Sequence, residues 1–547
     1  MNKMFKKLQI LTICLFSIVG AFAQLPLQQG WHLLDKETDG YQGISLEKAY
    51  QFLKNKKPQT VIVGVIDSGT DTTHEDLKPV LWRNPKEIPG NGKDDDGNGL
   101  IDDVIGWNFL GNANGENINK ENMEVVRLYH AMKDRFENND IVDSSLYSTQ
   151  KQDFETWKRI EEKLNVSSAD KFNFKLIKST TQSLANQDTI LQKAIGKEEF
   201  SIEELEKTIF DDDKAKRARF SYLRTMQMLQ FEPTQTNKEI FYELNGFLDQ
   251  QEALIMAKEK PFFDFRAIIG DNHRDINDRP YGNTDVMGSE SKHGTHVAGI
   301  IAAKRNNGLG IDGVADNARI MTVRAVPDGD EYDKDIALAI RYAVDHGAKV
   351  INMSFGKEFS PEKHMVDEAI RYAASKDVLL VHAAGNDSKN IDENHNYPSA
   401  KFNDNMVADN MITVGASGDL SIKTGMVAPF TNYGKTMVDV LSPGVKIYAT
   451  VPTGNKYAYL DGTSMAAPVV SGIAALIRGY YPALTAVEVK KILMESVDKS
   501  MTEQSFAKPG TTDDETMAMK ELCVSGGIVN AYNALVLAEK TASAKKK

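Results

Sequence analysis

At 547 residues the chain is too long for one ordinary core, so two or three folded units are expected. Its 65 lysines and arginines stand against 77 aspartates and glutamates, a formal charge of −12. That balance excludes a nucleic-acid surface, because phosphate binding needs a net basic face.

The first residues read as an export signal. Lys3, Lys6 and Lys7 precede the apolar run "LQILTICLFSIVGAFA", which closes on the small-x-small site Ala21-Phe22-Ala23. The run falls short of the ~20 apolar residues that a bilayer span needs. Residues 1–23 are therefore expected to be removed, leaving an extracytoplasmic chain, secreted or periplasmic, with no stable membrane span. Cys14 leaves with that segment and Cys523 remains alone, so no intramolecular disulfide is expected. The "LTI" before Cys14 lacks the small residues that precede a lipidated cysteine. Nothing in the sequence gives the oligomeric state.

The first strand pattern is "VIVGVID", ending at Asp67. After it comes the acid-rich stretch "GKDDDGNGLIDD" (92–103), where Asp94, Asp96, Asn98 and Gly99 occupy positions 1, 3, 5 and 6 of a calcium-loop pattern. Position 12 is Ile105, where a bidentate glutamate should stand, so a calcium site would have to recruit Asp102 or Asp103. A solvated Asp/Asn/Gly turn is the alternative. Residues 110–280 then change character: rich in Lys, Glu, Asp and Gln, they show helical spacing. Ser201 and Glu204 match a capping box, and Ile240, Phe241, Leu244, Phe247 and Leu248 fall on one helix face. This segment reads as a helical insertion whose charges form a solvated face.

Beyond it, short β-branched runs return: "ARIMTVRAV", "AKVINMSF", "VLLVHAAGN" and "MITVGAS" alternate with amphipathic segments. Parallel strands joined by crossover helices require such a pattern. Each run ends in small or polar residues, where open α/β sheets place their sites. His293 lies in "SKHGTHVAGIIAA", and Ser464 opens the apolar helix "LDGTSMAAPVVSGIAALI". Alone, Asp67 is a turn former, His293 a core histidine and Ser464 an N-cap. Together they supply the hydroxyl, the base and the orienting carboxylate of serine nucleophilic catalysis, each at an element end.

The stretches "VIDSGTDTTHEDL", "HGTHVAG" and "GTSMAAP" resemble the three signatures of the subtilisin-like serine peptidase family, in the family's order. The resemblance covers about residues 40–109 and 281–535. It implies an α/β three-layer sandwich around a mostly parallel sheet, interrupted by the mainly helical insertion. The implied division is signal 1–23, peptidase 24–109 and 281–538, insertion 110–280 and basic tail 539–547. It also implies that Asp67 orients His293, that His293 is base and then acid, and that Ser464 attacks the scissile carbonyl. His296 is left as a packing residue. "VHAAGND" resembles the strand ending in the oxyanion-hole asparagine, here Asn386, which would act with the Ser464 amide. Ser354, Phe355 and Gly356 look like the strand that pairs with bound peptide, opposite Ala383, Ala384 and Gly385, with Asn396 near the pocket floor. Asp328, Asp330 and Glu331 could bias neighbouring subsites or could be packing or loop residues. Asp76 and Asn307 look like two ligands of a family calcium site. The chemistry itself requires no cofactor, and calcium would be a structural ion.

The function so implied is an exported serine endopeptidase acting on protein or peptide substrates. The competing reading is a catalytically silent scaffold that binds a partner through its insertion. A metallopeptidase is disfavoured because no "HExxH" pair occurs. Two departures from the family stand out. Asp67 and His293 lie 226 positions apart, and little room precedes the peptidase pattern for a folding propeptide, so folding without one is expected.

Overall fold

The computed structural model describes residues 27–545, except 138–147, 230, 232, 234, 423 and 512–514. The export segment, with Cys14, lies outside the described residues. The chain divides into two compact units, one comprising Ala23–Glu121 and Asp264–Lys547, the other Asn122–Phe263.

The larger unit is built on a parallel sheet of seven strands: β1 (Val61–Asp67), β2 (Gly106–Asn108), β3 (Ala318–Arg324), β4 (Val350–Met353), β5 (Leu379–Ala383), β6 (Met411–Ser417) and β7 (Val440–Pro443). Their order is β2-β3-β1-β4-β5-β6-β7. Because β1 is central, flanked by β3 and β4, it is buried on both faces and reads as a continuous apolar run. Alternation along the strand then sorts its side chains. Val61, Val63 and Val65 enter the layer containing helices Lys292–Ala302 and Thr463–Tyr480, while Ile66 joins the layer containing Asp333–Asp345 and Lys363–Ser375. The result is the expected three-layer α/β sandwich.

Helix Thr463–Tyr480 is apolar all round because it is buried all round. No helix among the described residues is long and apolar enough to cross a membrane. Cys523 is a buried free thiol, and burial pushes its pKa up, so its place is that of a small apolar side chain.

The smaller unit is helical, with helices Glu124–Phe136, Ser148–Leu164, Ser168–Ile195, Ile202–Lys207, Asp213–Leu229 and Asn237–Met256. Ile240, Leu244, Phe247 and Leu248 are buried in its core with Phe174, Leu184 and Tyr222, and Phe241 packs against that core half-buried. Ser201 does accept from the Glu204 amide at 3.0 Å. The reciprocal bond is absent there, because the Glu204 carboxylate pairs with Lys197. The full capping box sits instead at Thr236 and Glu239, a device typically contributing about 1 kcal/mol. Residues 110–121 and 264–280, which the sequence places with the insertion, cluster with the sheet unit.

Candidate active site

Asp67 ends β1 at the carboxyl edge of the sheet and is buried, at 2% exposure. Its Oδ1 accepts from the Ser68 amide at 2.8 Å and from His293 Nδ1 at 2.7 Å. His293 stands in the first turn of its helix. What brings the two elements so close is Gly294: a Cβ there would lie 2.1 Å from the Gly69 carbonyl and 3.1 Å from Asp67 Cβ. Because Nδ1 donates to the carboxylate, Nε2 carries the lone pair and faces away from Asp67. Burial disfavours the charged ring, yet the Asp67 charge and its hydrogen bond outweigh burial and hold the His293 pKa above its ordinary value. His296, one turn on, is fully buried, bonded to the Ala458 carbonyl at 3.0 Å and depressed to about 3 by burial. Such a ring stays neutral and packs.

Ser464 is the second residue of helix Thr463–Tyr480. Its hydroxyl donates to the Ser354 carbonyl at 3.0 Å, so its proton is not given to His293. Hydrogen bonds between such side chains commonly tighten only with substrate in place. The backbone around Ser464 is held from the opposite side. Pro468 lacks the N–H that would bond the Ser464 carbonyl within the helix. The Ser354 hydroxyl takes that place at 2.9 Å. Ser354 Oγ is itself oriented by Asn352 Nδ2 at 2.9 Å, and Asn352 Oδ1 accepts from Ser471 at 2.8 Å. This buried chain locks the nucleophile's helix to the end of β4. Sequence reading missed it, although a proline four residues after the serine signals a carbonyl in need of another donor.

The helix start leaves backbone amides in need of acceptors. Of the orphan N-terminal amides, that of Thr463 is taken by Asn386 Oδ1 at 2.9 Å, and those of Met465 and Ala466 turn onto the Gly462 carbonyl. Among the described residues the Ser464 N–H has no protein acceptor. Asn386 Oδ1 also accepts from the Thr463 hydroxyl at 3.0 Å. With its oxygen held on both bonds, the side chain keeps Nδ2 as its remaining donor, and a Cβ on Gly462 would lie 3.5 Å from both this nitrogen and the Ser464 N. Asn386→Ala is expected to lower kcat about 10²–10³-fold with little change in KM, because the lost bond forms to the developing oxyanion. Steady-state kinetics on a peptide substrate checks this.

Ser354, Phe355 and Gly356 continue from β4, and Ala383, Ala384 and Gly385 from β5. The pairing of β4 with β5 and the bond from His382 Nε2 to the Phe355 carbonyl, 2.9 Å, hold these two tracts side by side. Asn396 lies between them: its Nδ2 donates to the Ala384 carbonyl at 3.0 Å, and a Cβ on Gly356 would lie 2.8 Å from its Oδ1. Glu331 is buried beside Asp333 and Lys357, and burial pushes its carboxyl up to about 7. It is a packed residue and not part of a solvated loop.

The remaining acidic residues separate. Asp76 Oδ1 accepts from Asn307 Nδ2 at 2.6 Å and its Oδ2 from the Tyr457 hydroxyl at 3.2 Å, while Asn307 Oδ1 accepts from the Leu309 amide. The pair is thus brought together at one place. In the acid loop, Asp102 caps the amides of Gly90, Asn91 and Gly92. Asn98 turns its oxygen to the Leu100 amide and its nitrogen to Asp103. Asp94, Asp96 and Asp103 group instead with Glu87 and His346, neither of which the calcium-loop pattern contains.

The subtilase family model matches residues 59–514. The chain belongs to the subtilase family. It is 36% identical over 289 residues to the thermophilic serine proteinase of Bacillus sp. (strain AK1), which covers 52% of this chain and 65% of that protein. It is 37% identical over 218 residues to the cell wall-associated protease of Bacillus subtilis (strain 168), covering 40% of this chain and 22% of that one. To thermitase of Thermoactinomyces vulgaris it is 37% identical over 216 residues, covering 38% and 71%. This subtilase thus spans less than two thirds of the first two relatives. The family match also runs across the helical unit, since its two ends enclose Asn122–Phe263.

Proposed function

We propose that this subtilase is an exported serine endopeptidase that hydrolyses peptide bonds through an acyl-enzyme intermediate. The observation that carries the reading is the Asp67–His293 bond, which commits Nδ1 to the carboxylate and leaves Nε2 free to act as the base. Ser464 Oγ attacks the scissile carbonyl while His293 Nε2 takes its proton. The oxyanion is held by the Ser464 amide and Asn386 Nδ2. Collapse breaks the C–N bond as His293 returns the proton to the departing amine, and water, activated by the same nitrogen, then cleaves the ester. No metal or cofactor takes part in these steps. Peptide would enter as an added strand along Ser354–Gly356, with Ala383–Gly385 opposite and Asn396 at the pocket end.

Export rests on the basic and apolar character of residues 1–23, whose removal would leave the sheet unit, interrupted by the helical unit Asn122–Phe263. A fluorophosphonate probe tests the catalytic reading: it should label the folded protein and fail to label Ser464→Ala. Equal labelling of the two, or none of the folded wild type, overturns it.

A further inference from the structure

Asn386 stands just beyond β5, on an irregular tract in which Gly385 and Ser388 both take left-handed backbone, with φ of +96° and +59°. A tract of this kind is not held by a regular strand ladder, so its peptide groups need other partners. Several of them converge on one side chain. Asn432 is buried, at 2% exposure. Its Nδ2 donates to the Ala384 carbonyl at 2.9 Å, and its Oδ1 accepts from the Asp387 amide at 3.1 Å and the Lys389 amide at 2.8 Å. One carboxamide therefore bonds the chain on both sides of Asn386.

The backbone of the same segment adds to this grip: the Asn432 N–H donates to the Gly385 carbonyl at 2.8 Å, and the Tyr433 N–H to the Lys389 carbonyl at 3.0 Å. The close approach depends on Gly385, where a Cβ would lie 2.4 Å from Asn432 Nδ2. Asn432 is itself anchored to β6, because the Thr431 hydroxyl donates to the Asn432 carbonyl and accepts from the Ala416 amide, each at 2.9 Å. Such a position calls for a short side chain that carries an acceptor and a donor on separate atoms. Aspartate lacks the donor, and serine lacks the reach.

We propose that Asn432 is a positioning residue for the oxyanion donor: it fixes the 384–389 backbone from which Asn386 Nδ2 is aimed, while the Thr463 amide and hydroxyl fix the Asn386 oxygen. The proposal rests on the catalytic reading above, in which Asn386 Nδ2 holds the developing oxyanion. Such a donor stabilises the transition state only when it is already in place, and its bond weakens steeply with lost alignment. Asn432 thus acts on kcat through Asn386, without bonding the substrate itself.

Wild type, Asn432→Ala, Asn386→Ala and the double variant are compared by steady-state kinetics on one peptide substrate, each checked for folding by its melting curve. Asn432→Ala is expected to lower kcat about tenfold while KM moves by less than about twofold, since a small misplacement of a catalytic group is felt in turnover. In the Asn386→Ala background the same substitution should cost less than about twofold in kcat, because the donor it aims is gone. A loss of general packing would instead lower kcat by the same factor in both backgrounds. Asn432→Ser, too short to bond both flanks, serves with the same expectations should the alanine variant not fold. The proposal is overturned by equal losses with and without Asn386, by an effect confined to KM, or by an unchanged kcat. Fluorophosphonate labelling distinguishes these results from failure of the catalytic reading. A folded wild type that neither labels nor turns over removes that reading and this proposal with it, whereas a labelled, active wild type with equal losses overturns the proposal alone.

Discussion

Ser464→Ala is expected to reduce kcat for peptide hydrolysis by about 10⁶, the scale on which loss of a triad nucleophile is felt. The reason lies in how little else changes. Alanine retains the helix, and the carbonyl at this position still accepts from Ser354. Only the hydroxyl and its bond to the Ser354 carbonyl are lost. Substrate binding should therefore survive, with KM close to that of the wild type, and residual turnover should come from the oxyanion donors and orientation alone. Active-site titration of the wild type alongside steady-state kinetics of the variant checks this. A loss below tenfold on folded protein would remove Ser464 from the mechanism.

Asp67→Asn is expected to cost about 10⁴ in kcat. An amide at this position can donate to Nδ1, which favours the tautomer with its proton on Nε2 and leaves no base facing the serine. The variant should also change the pH profile. In the wild type kcat/KM falls as pH drops through the His293 pKa, because only the neutral ring accepts the proton. Burial acts to lower that pKa, and the Asp67 charge and bond raise it above the ordinary histidine value of about 6.5. Removing the charge leaves burial unopposed, so the acid limb of the residual activity should move to lower pH. Stability follows the opposite course. A raised folded-state pKa contributes stability that is fully present below the unfolded value and lost as pH rises through the folded one. The melting-temperature difference between wild type and Asp67→Asn should thus be larger at pH 5 than at pH 9. His293 is 37% exposed at its side chain, so solvent screening keeps that difference modest. An unshifted acid limb would show that Asp67 does not set the basicity of His293.

The five inner strands, β1 and β3 to β6, were legible because each has a neighbour on both sides and reads as a largely apolar run, whereas the short edge strands β2 and β7 were not read. The helical unit was legible through apolar spacing, as at Ile240 and Leu244, but its limits were less so. Residues 110–121 and 264–280 carry the polar composition of the insertion, yet they cluster with the sheet unit, where Arg266 is buried against Asp271 and Asp335. Composition cannot distinguish a solvated charge from one that is paired in a core. The same limit applies to the acid loop. Spacing predicted a ligand series along consecutive odd positions, whereas the fold spends Asp102 and Asn98 on turns and brings in Glu87 from outside the pattern.

The sequence by itself determined the candidates for the proposed chemistry: an aspartate at a strand end, a histidine followed by the one residue small enough to let its helix approach, and a serine at a helix start. These are local requirements, and local requirements are written in neighbouring residues. Only the tertiary structure decided how they are held. The Ser354 hydroxyl on the carbonyl freed by Pro468, the Thr463 amide and hydroxyl on Asn386, and the convergence of Glu87 with Asp94 and Asp96 are set by chain packing. A hydrogen bond or an ion ligand depends on where a group points and what else has claimed it, and those are properties of the folded chain.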